Sequence, residues 1–556
     1  KLRTMSLLNF PTPSASEQSY SLQEFNGQIL NGSRKDFEIL QGSNFLSDYP
    51  LIERSNLSRL QHSLSRDNVK NTGPFPPNLH TRTNEEDAST STESSWSLSK
   101  AVLRVRNRVG SILSKMSESE DSTLVRLNEF ATTRNWSTAW LRCIAADSKG
   151  SKLAVCQATD YIRVYYLGAG ARATPPLTLH HAQQKNVSTM QFDPQDSRIL
   201  AVAASSVVIV WRIAGKMTSN RSSVSCVGVV STGLSPLTSL TWDSSSPNTL
   251  IASSCTSNKL ALVDVPSGEV SSICAWLGGS VTGLYPSPDS ARIAVTYTSN
   301  LIRVYDRETW REEKWSGLEG RATGVVWAPG GQALIFSSAG SSLLYSIVFT
   351  SKTLISEEGV RRKVWVGESR AHVVYDLSRV EFDPIEGASE EMLERGRLGP
   401  VVSIGGPVRS MVMSEDGERI AVTFMDRDCA SMVAVLIVDW SDSVRLLPCG
   451  FVQASFMGVP DIVTFIPQFT AGSMLAISWS GGTLQYVPLI YGKSPAAMAL
   501  SVHPLVEQHS ITPILEESAW HGDSLASVDL SPRLSSDSPI CYSDILKERS
   551  RHGQLL

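Results

Sequence analysis

The chain lacks a dominant charge. Its 556 residues carry 50 Lys and Arg against 54 Asp and Glu, a net charge of −4, so no global basic field draws it to nucleic acid or anionic lipid. Any such contact must be local. Charge is also sparse, at 19% of residues beside 41% hydrophobic, which excludes a mostly disordered chain and leaves material for a large core. The eight cysteines, scattered from Cys143 to Cys541, form no C-x-x-C pair and no Cys/His spacing that builds a zinc site. They read as reduced, buried thiols. The longest apolar run, Met432 to Val438, falls far short of the roughly 18 residues that span a bilayer. Near the start, Pro11 and Pro13 interrupt the apolar patch of Leu7, Leu8 and Phe10, which is too short for a signal-peptide core. These absences predict an intracellular protein without a membrane span, in which sequons such as Asn135-Trp-Ser and Asn186-Val-Ser meet no glycosylating compartment.

Motifs that carry chemistry are missing as well. Gly168-Ala-Gly170-Ala-Arg-Ala173 follows a strand as a dinucleotide fingerprint does, yet Pro175 and Pro176 stand where the phosphate-binding helix must open. Tyr491-Gly-Lys-Ser494 resembles the end of a phosphate loop, but Val487 occupies the place of its first glycine. No H-E-x-x-H or G-x-S-x-G occurs, and His180-His181 has no carboxylate or Cys at metal spacing. No catalytic residue, cofactor site or metal site is predicted, and the chain reads as no enzyme.

What the chain does have is a repeat. Each unit is an alternating strand ending in an anchor residue, a turn rich in Asp, Pro, Ser and Gly, a small-residue apolar strand, a polar turn and another apolar strand. VTGLYPSPDSARIAVTYTSNLIRVYD from Val281 and LTSLTWDSSSPNTLIASSCTSNKLALVDV from Leu237 set the template. Further copies begin at Leu141, Val187, Ala322, Val408 and Asp461, and the anchors are Ala146, Phe192, Trp242, Tyr285, Trp327, Met413 and Phe465, spaced by 46, 50, 43, 42, 86 and 52 residues. A period of about 40–45 residues with three clear strands and a variable fourth predicts an all-β fold, a seven-bladed β-propeller of four-stranded blades. One blade cannot bury both sheet faces alone, so blades stack about an axis, with small residues where inner strands crowd. Ala201, Ala203, Ala204, Ala252, Ala294 and Ala421 occupy such places, and Trp242 and Trp327 read as core between blades.

The spacing of 86 residues reads as one blade plus an insertion at about 350–407, in which KVWV and HVVYDL could each supply an outer strand. The seventh unit runs out at Tyr491 without a fourth strand, so an N-terminal segment is expected to close the ring; YSLQEF with the glycine turn and QIL at 19–30 is one candidate, the stretch before Asn135 another. The expected organisation is an N-terminal extension at 1–99, partly disordered, a helical segment at 100–134, the propeller at 135–492 and a flexible tail at 493–556. Within KAVLRVRNRVGSILSKM, from Lys100 to Met116, Val102, Val105, Val109, Ile112 and Met116 recur at helical spacing, with Arg104, Arg106, Arg108 and Lys115 largely off that stripe. Such a basic amphipathic helix either packs on the propeller's own edge or meets an anionic membrane or a partner, and these four side chains are the partner-contact candidates.

NEFATTRNWSTAWLRCIAADSKGSKLAVCQATDYIRVYYL from Asn128, KNVSTMQFDPQDSRILAVAASSVVIVW, RLLPCGFVQ and VTFIPQFTAGSMLAISWSGGTLQYVPLIY resemble the Aladin family of WD-repeat nucleoporins. MSLLNFPTP and YSLQEFNGQILNGS echo the same family and place its usual initiator at Met5. The Gly-His and Trp-Asp signatures of regular WD repeats are largely absent, with Tyr305-Asp306 and Val263-Asp264 the nearest substitutes. The resemblance implies a non-enzymatic scaffold of the nuclear pore complex, held at the nuclear envelope through a transmembrane nucleoporin. It further implies roles in nucleocytoplasmic transport of protein and mRNA and at the mitotic spindle. Its expected partners are nuclear pore proteins, with no direct nucleic-acid binding, no small-molecule substrate and only peripheral membrane association. A cytosolic WD-repeat adaptor or substrate receptor is the alternative that the repeat alone allows.

Overall fold

The computed structural model describes residues 5–13, 19–43, 46–56, 120–136, 138–213, 224–243, 245–274, 279–355, 361–382, 401–426, 431–440, 443–454 and 458–491. All lie within one compact unit, Lys1–Val506; the second, Glu507–Leu556, falls outside the described residues. The strands form seven antiparallel blades, at 141–179, 187–231, 237–274, 281–316, 322–376, 408–453 and 460–490.

The seven-bladed fold follows from the repeat. Each second strand is covered on both faces by neighbouring sheets: Lys152–Gln157, Arg292–Tyr297, Ala333–Ser338 and Arg419–Phe424 are buried at every position. The six alanines singled out in the repeat are at most 1% exposed, so their size sets how closely the sheets approach. Anchor tryptophans do more than fill space. Trp242 Nε1 donates to the Gln191 carbonyl at 3.1 Å, and Trp327 Nε1 donates to the Tyr285 carbonyl at 2.9 Å, each tying its blade to the preceding one. The polar turns cap themselves: Ser287 Oγ accepts from Arg292 N at 2.9 Å and Ser414 Oγ accepts from Arg419 N at 3.0 Å, the same device in two blades.

The long spacing before Met413 has a structural cause. The third strand of the fifth blade, Leu343–Ile355, is twice the usual length; its first half pairs with the outer strand His372–Asp376, and its second half continues out of the blade to pair with Arg361–Gly367. A small ladder, Val380–Phe382 with Val402–Ile404, completes the addition.

The seventh blade contributes only three strands of its own. Its fourth is β1 (Tyr20–Phe25), which runs parallel to Thr483–Ile490 through Glu24 opposite Leu489 and Phe25 opposite Ile490. An Asn26-Gly27 turn with φ of 47° and 86° reverses the chain into β2 (Gln28–Gly32). Helix α1 (Arg34–Gly42), capped by Ser33, then leads toward β3 (Ile52–Glu53), which pairs antiparallel with the start of that same blade strand. Tyr20, Leu22, Phe37, Leu40, Leu46 and Ile52 join one core cluster with the seventh blade. The polar seam is equally specific. Ser21 Oγ accepts from Gln453 N at 3.0 Å, and Glu24 holds Arg419 through contacts of 2.6, 3.0 and 3.1 Å in a pair whose side chains are 0% and 4% exposed. Farther upstream, Leu7 and Phe10 are buried against the fifth and sixth blades, where Phe10 stacks on Phe451 at 4.6 Å.

Candidate functional site

The axial channel is shaped by a recurring irregularity. In every blade the innermost strand loses register just after its first residue: between Leu141 and Cys143, Val187 and Thr189, Leu237 and Ser239, Val281 and Gly283, Ala322 and Val325, Val408 and Ser410, and Pro460 and Ile462. The residue displaced from pairing turns to the axis. Arg142, Ser188, Thr282, Thr323, Arg409 and Asp461 thus line one cavity of about 340 Å³. Blades two to five supply hydroxyl residues at this position, Thr238 standing for the third, whereas the adjacent sixth, seventh and first supply Arg409, Asp461 and Arg142.

Helix α2 (Glu120–Thr133) lines one side of this cavity through Arg126, Glu129, Phe130 and Thr133. Arg126 Nη1 donates to Ser280 Oγ at 2.6 Å, Glu129 pairs with Arg321, and Arg321 Nη2 donates to Thr133 Oγ1 at 3.3 Å. The helix ends at Asn135, which adopts a φ of 50°; Trp136 N returns to the Ala131 carbonyl at 2.9 Å, closing the helix end, while Asn135 Nδ2 donates to Asp461 Oδ1 at 3.0 Å. Asn135 is therefore a helix stop that points its side chain at the channel ring. Trp136, 3% exposed, lies under the Arg142 guanidinium at 4.1 Å.

Arg134 ties the helix to two blades. Its Nη1 donates to the Ser188 carbonyl at 2.7 Å and its Nη2 to the Thr238 carbonyl at 3.2 Å, bridging two blades across the channel wall. The residue keeps an open surface, but it lines the cavity, and the enclosing protein still lowers the guanidinium pKa by desolvation. Burial also lowers Arg142. The Cys255 thiol, in the same wall, is pushed up to about 12 by burial and is no nucleophile at neutral pH.

This lining offers guanidinium donors, hydroxyls and backbone carbonyls. It contains no histidine and no nucleophile paired with a base, and the described residues hold no cluster of His, Cys, Asp and Glu fit for a metal ion. The sequence motifs take structural places: Gly168 to Ala173 is a turn, and His180 stacks on Tyr161 at 4.8 Å. The partner-contact candidates Arg104, Arg106, Arg108 and Lys115 lie outside the described residues. The channel arginines went unremarked in the sequence. Their signal was the second residue of each innermost strand, where R, S, T, T, T, R and D succeed one another once the strands, the last beginning at Pro460, are aligned.

Fold and channel together define a class: a closed β-propeller of the scaffold type, built to present rims and loops around a central axis. A family model described as the Aladin seven-bladed propeller matches residues 122–490, and the chain belongs to that family. Aladin of Arabidopsis thaliana is 23% identical over 341 residues, covering 57% of this chain and 68% of that protein. Among solved structures, the WD40 domain of Toxoplasma gondii coronin is similar at a TM-score of 0.42 and 13% identity, covering 64% of this chain and 83% of that one.

Proposed function

We propose that the chain is a non-enzymatic scaffold component of the nuclear pore complex, held at the nuclear envelope through a transmembrane nucleoporin. In this reading it supports nucleocytoplasmic transport of protein and mRNA and assists spindle assembly in mitosis. The observation that carries the proposal is membership of the Aladin propeller family across 122–490, a span that takes in six whole blades and the seventh's own three strands. One feature agrees with it: a ring tied shut by its own N-terminal segments. No helix among the described residues is long and apolar enough to cross a membrane. The basic stretch with Arg104, Arg106, Arg108 and Lys115 is assigned in this proposal to the membrane-proximal partner contact.

Imaging of the fluorescently tagged chain tests the address. A continuous nuclear rim is expected. A diffuse cytosolic signal would instead favour an adaptor or substrate receptor. Replacing Arg104, Arg106 and Arg108 by Glu should weaken the rim; an unchanged rim would remove that stretch from the contact.

A further inference from the structure

Two cysteines face each other in the first blade. Its innermost strand, Leu141–Ala146, loses register after the first residue and resumes pairing at Cys143, directly opposite Cys156 in the second strand, Lys152–Gln157. Opposed residues project from the same sheet face, and the two thiols lie within hydrogen-bonding reach of each other. Both are free cysteines. Residues opposed across an antiparallel ladder stand about 4.5–5.5 Å apart at Cα, inside the roughly 4.4–6.8 Å that a disulfide needs, so the backbone already meets the requirement.

The surroundings of the two thiols assign their roles. Cys143 is half-buried and lines the axial cavity of about 340 Å³, where a small solute meets its sulfur. Cys156 is 0% exposed; burial, with Cys143 adding to it, pushes its thiol well above the ordinary cysteine range. Of the pair, Cys143 alone is open to a reagent. Around them Ala145, Ala154, Ile162 and Met190 form an apolar cluster that accepts a disulfide as readily as two thiols. Cys255, in the same cavity lining, stands just past the strand Thr249–Ser254 and faces no cysteine in its ladder.

We propose that Cys143 and Cys156 form a redox-active dithiol, oxidised to a cross-strand disulfide by hydrogen peroxide that enters the axial channel. The Cys143 sulfur attacks one peroxide oxygen. The S–O bond forms as the O–O bond breaks, the thiol proton leaves with the departing oxygen as water, and Cys143 becomes a sulfenic acid. The Cys156 sulfur then attacks the Cys143 sulfur; the S–S bond forms as the S–O bond breaks, and the second proton leaves with that oxygen as a second water. Two thiols lose two electrons and two protons, and one peroxide is reduced to two waters. The bridge closes the hairpin that carries Lys152, whose Nζ donates to the Ser197 carbonyl of the second blade at 3.1 Å, so the modification bears on the seam between those blades.

Peptide mapping of the full, folded chain tests this after peroxide treatment, blocking of the remaining thiols with iodoacetamide and tryptic digestion without reductant. Cleavage at Arg142, Lys149, Lys152 and Arg163 puts the two cysteines on separate peptides, so the bridge appears as one linked species lighter than their sum by two hydrogens. That species is expected in about tenfold or greater excess over any product linking Cys143 to Cys255, and dithiothreitol should abolish it. Cys156→Ala should leave Cys143 as a sulfenic acid that dimedone captures, and Cys143→Ser should leave Cys156 reduced. If circular dichroism shows that either variant fails to fold, dimedone labelling of the unsubstituted chain at early times serves, with Cys143 taking the label before Cys156. Cys226, the exposed thiol of the second blade, controls for plain accessibility. The proposal is overturned if peroxide that oxidises Cys226 leaves Cys143 and Cys156 unlinked, if Cys143 couples to Cys255 instead, or if the linked peptide forms only after unfolding in urea.

Discussion

Replacing Glu24 by Gln tests how the ring is closed. Glu24 sits on β1, the strand that completes the seventh blade, and its carboxylate receives Arg419 Nε at 3.0 and 3.1 Å and Nη2 at 2.6 Å from the second strand of the sixth blade. Arg419 also stacks over Tyr491 at 3.7 Å, at the end of the last blade. With side chains 0% and 4% exposed, neither partner can turn to water when the other is removed. Gln keeps the size of the side chain and one oxygen acceptor, so the change isolates the charge. Breaking a buried pair costs about 3–5 kcal/mol, a large share of the roughly 5–15 kcal/mol that holds a domain folded. Urea unfolding followed by tryptophan fluorescence should therefore show a loss of about 3 kcal/mol. Adding Arg419→Met should recover about 2 kcal/mol of it, because no uncompensated charge then remains. The exposed pair Arg34 and Glu38, whose side chains are 63% and 62% exposed, is the control, where Glu38→Gln should cost at most about 0.5 kcal/mol. A cost below about 1 kcal/mol for Glu24→Gln, or no recovery in the double variant, would refute the latch.

Two further outcomes follow from the same packing. Trp327→Phe removes the indole donor to the Tyr285 carbonyl and part of the packing between the fourth and fifth blades, so thermal or urea unfolding should report a loss of about 1–3 kcal/mol. Cys255 retains its proton up to about pH 12 in the folded chain, whereas an unfolded thiol loses it near 9.0. Between those values the folded state binds more protons, so stability falls as pH rises, by about 1.4 kcal/mol per pH unit for this group. Alkaline unfolding of Cys255→Ala should be correspondingly less steep across that window, and an unchanged slope would contradict the burial of the thiol.

The blades were legible because each unit repeats its own physics. Anchors such as Trp242 and Trp327, and alanines such as Ala203 and Ala294, recur at positions that stacking sheets require, and the structure buries all of them. Closure was harder to read. Two segments stayed open as candidates, since the parallel pairing of Glu24 with Leu489 and Phe25 with Ile490 leaves no long alternating pattern to recognise. Much of its specificity lies in side chains such as Ser21, Glu24 and Gln485, whose partners are hundreds of residues away. The channel was hidden for a different reason. Arg142 and Arg409 stand where neighbouring copies carry Ser or Thr, and only the register break in each innermost strand turns those positions to the axis. Two short matches that repeat physics did not demand now have structural places. RLLPCGFVQ is the outer strand of the sixth blade, against which the N-terminal hairpin lies, and Asn135 ends the helix that lines the channel.

Quantitative affinity purification of the tagged chain under mild detergent tests the central claim most directly. Nuclear pore proteins, including a membrane-spanning one, should co-purify in constant ratio with the chain. Recovery of a cytosolic adaptor complex, with pore proteins no more abundant than in a mock purification, would contradict the account.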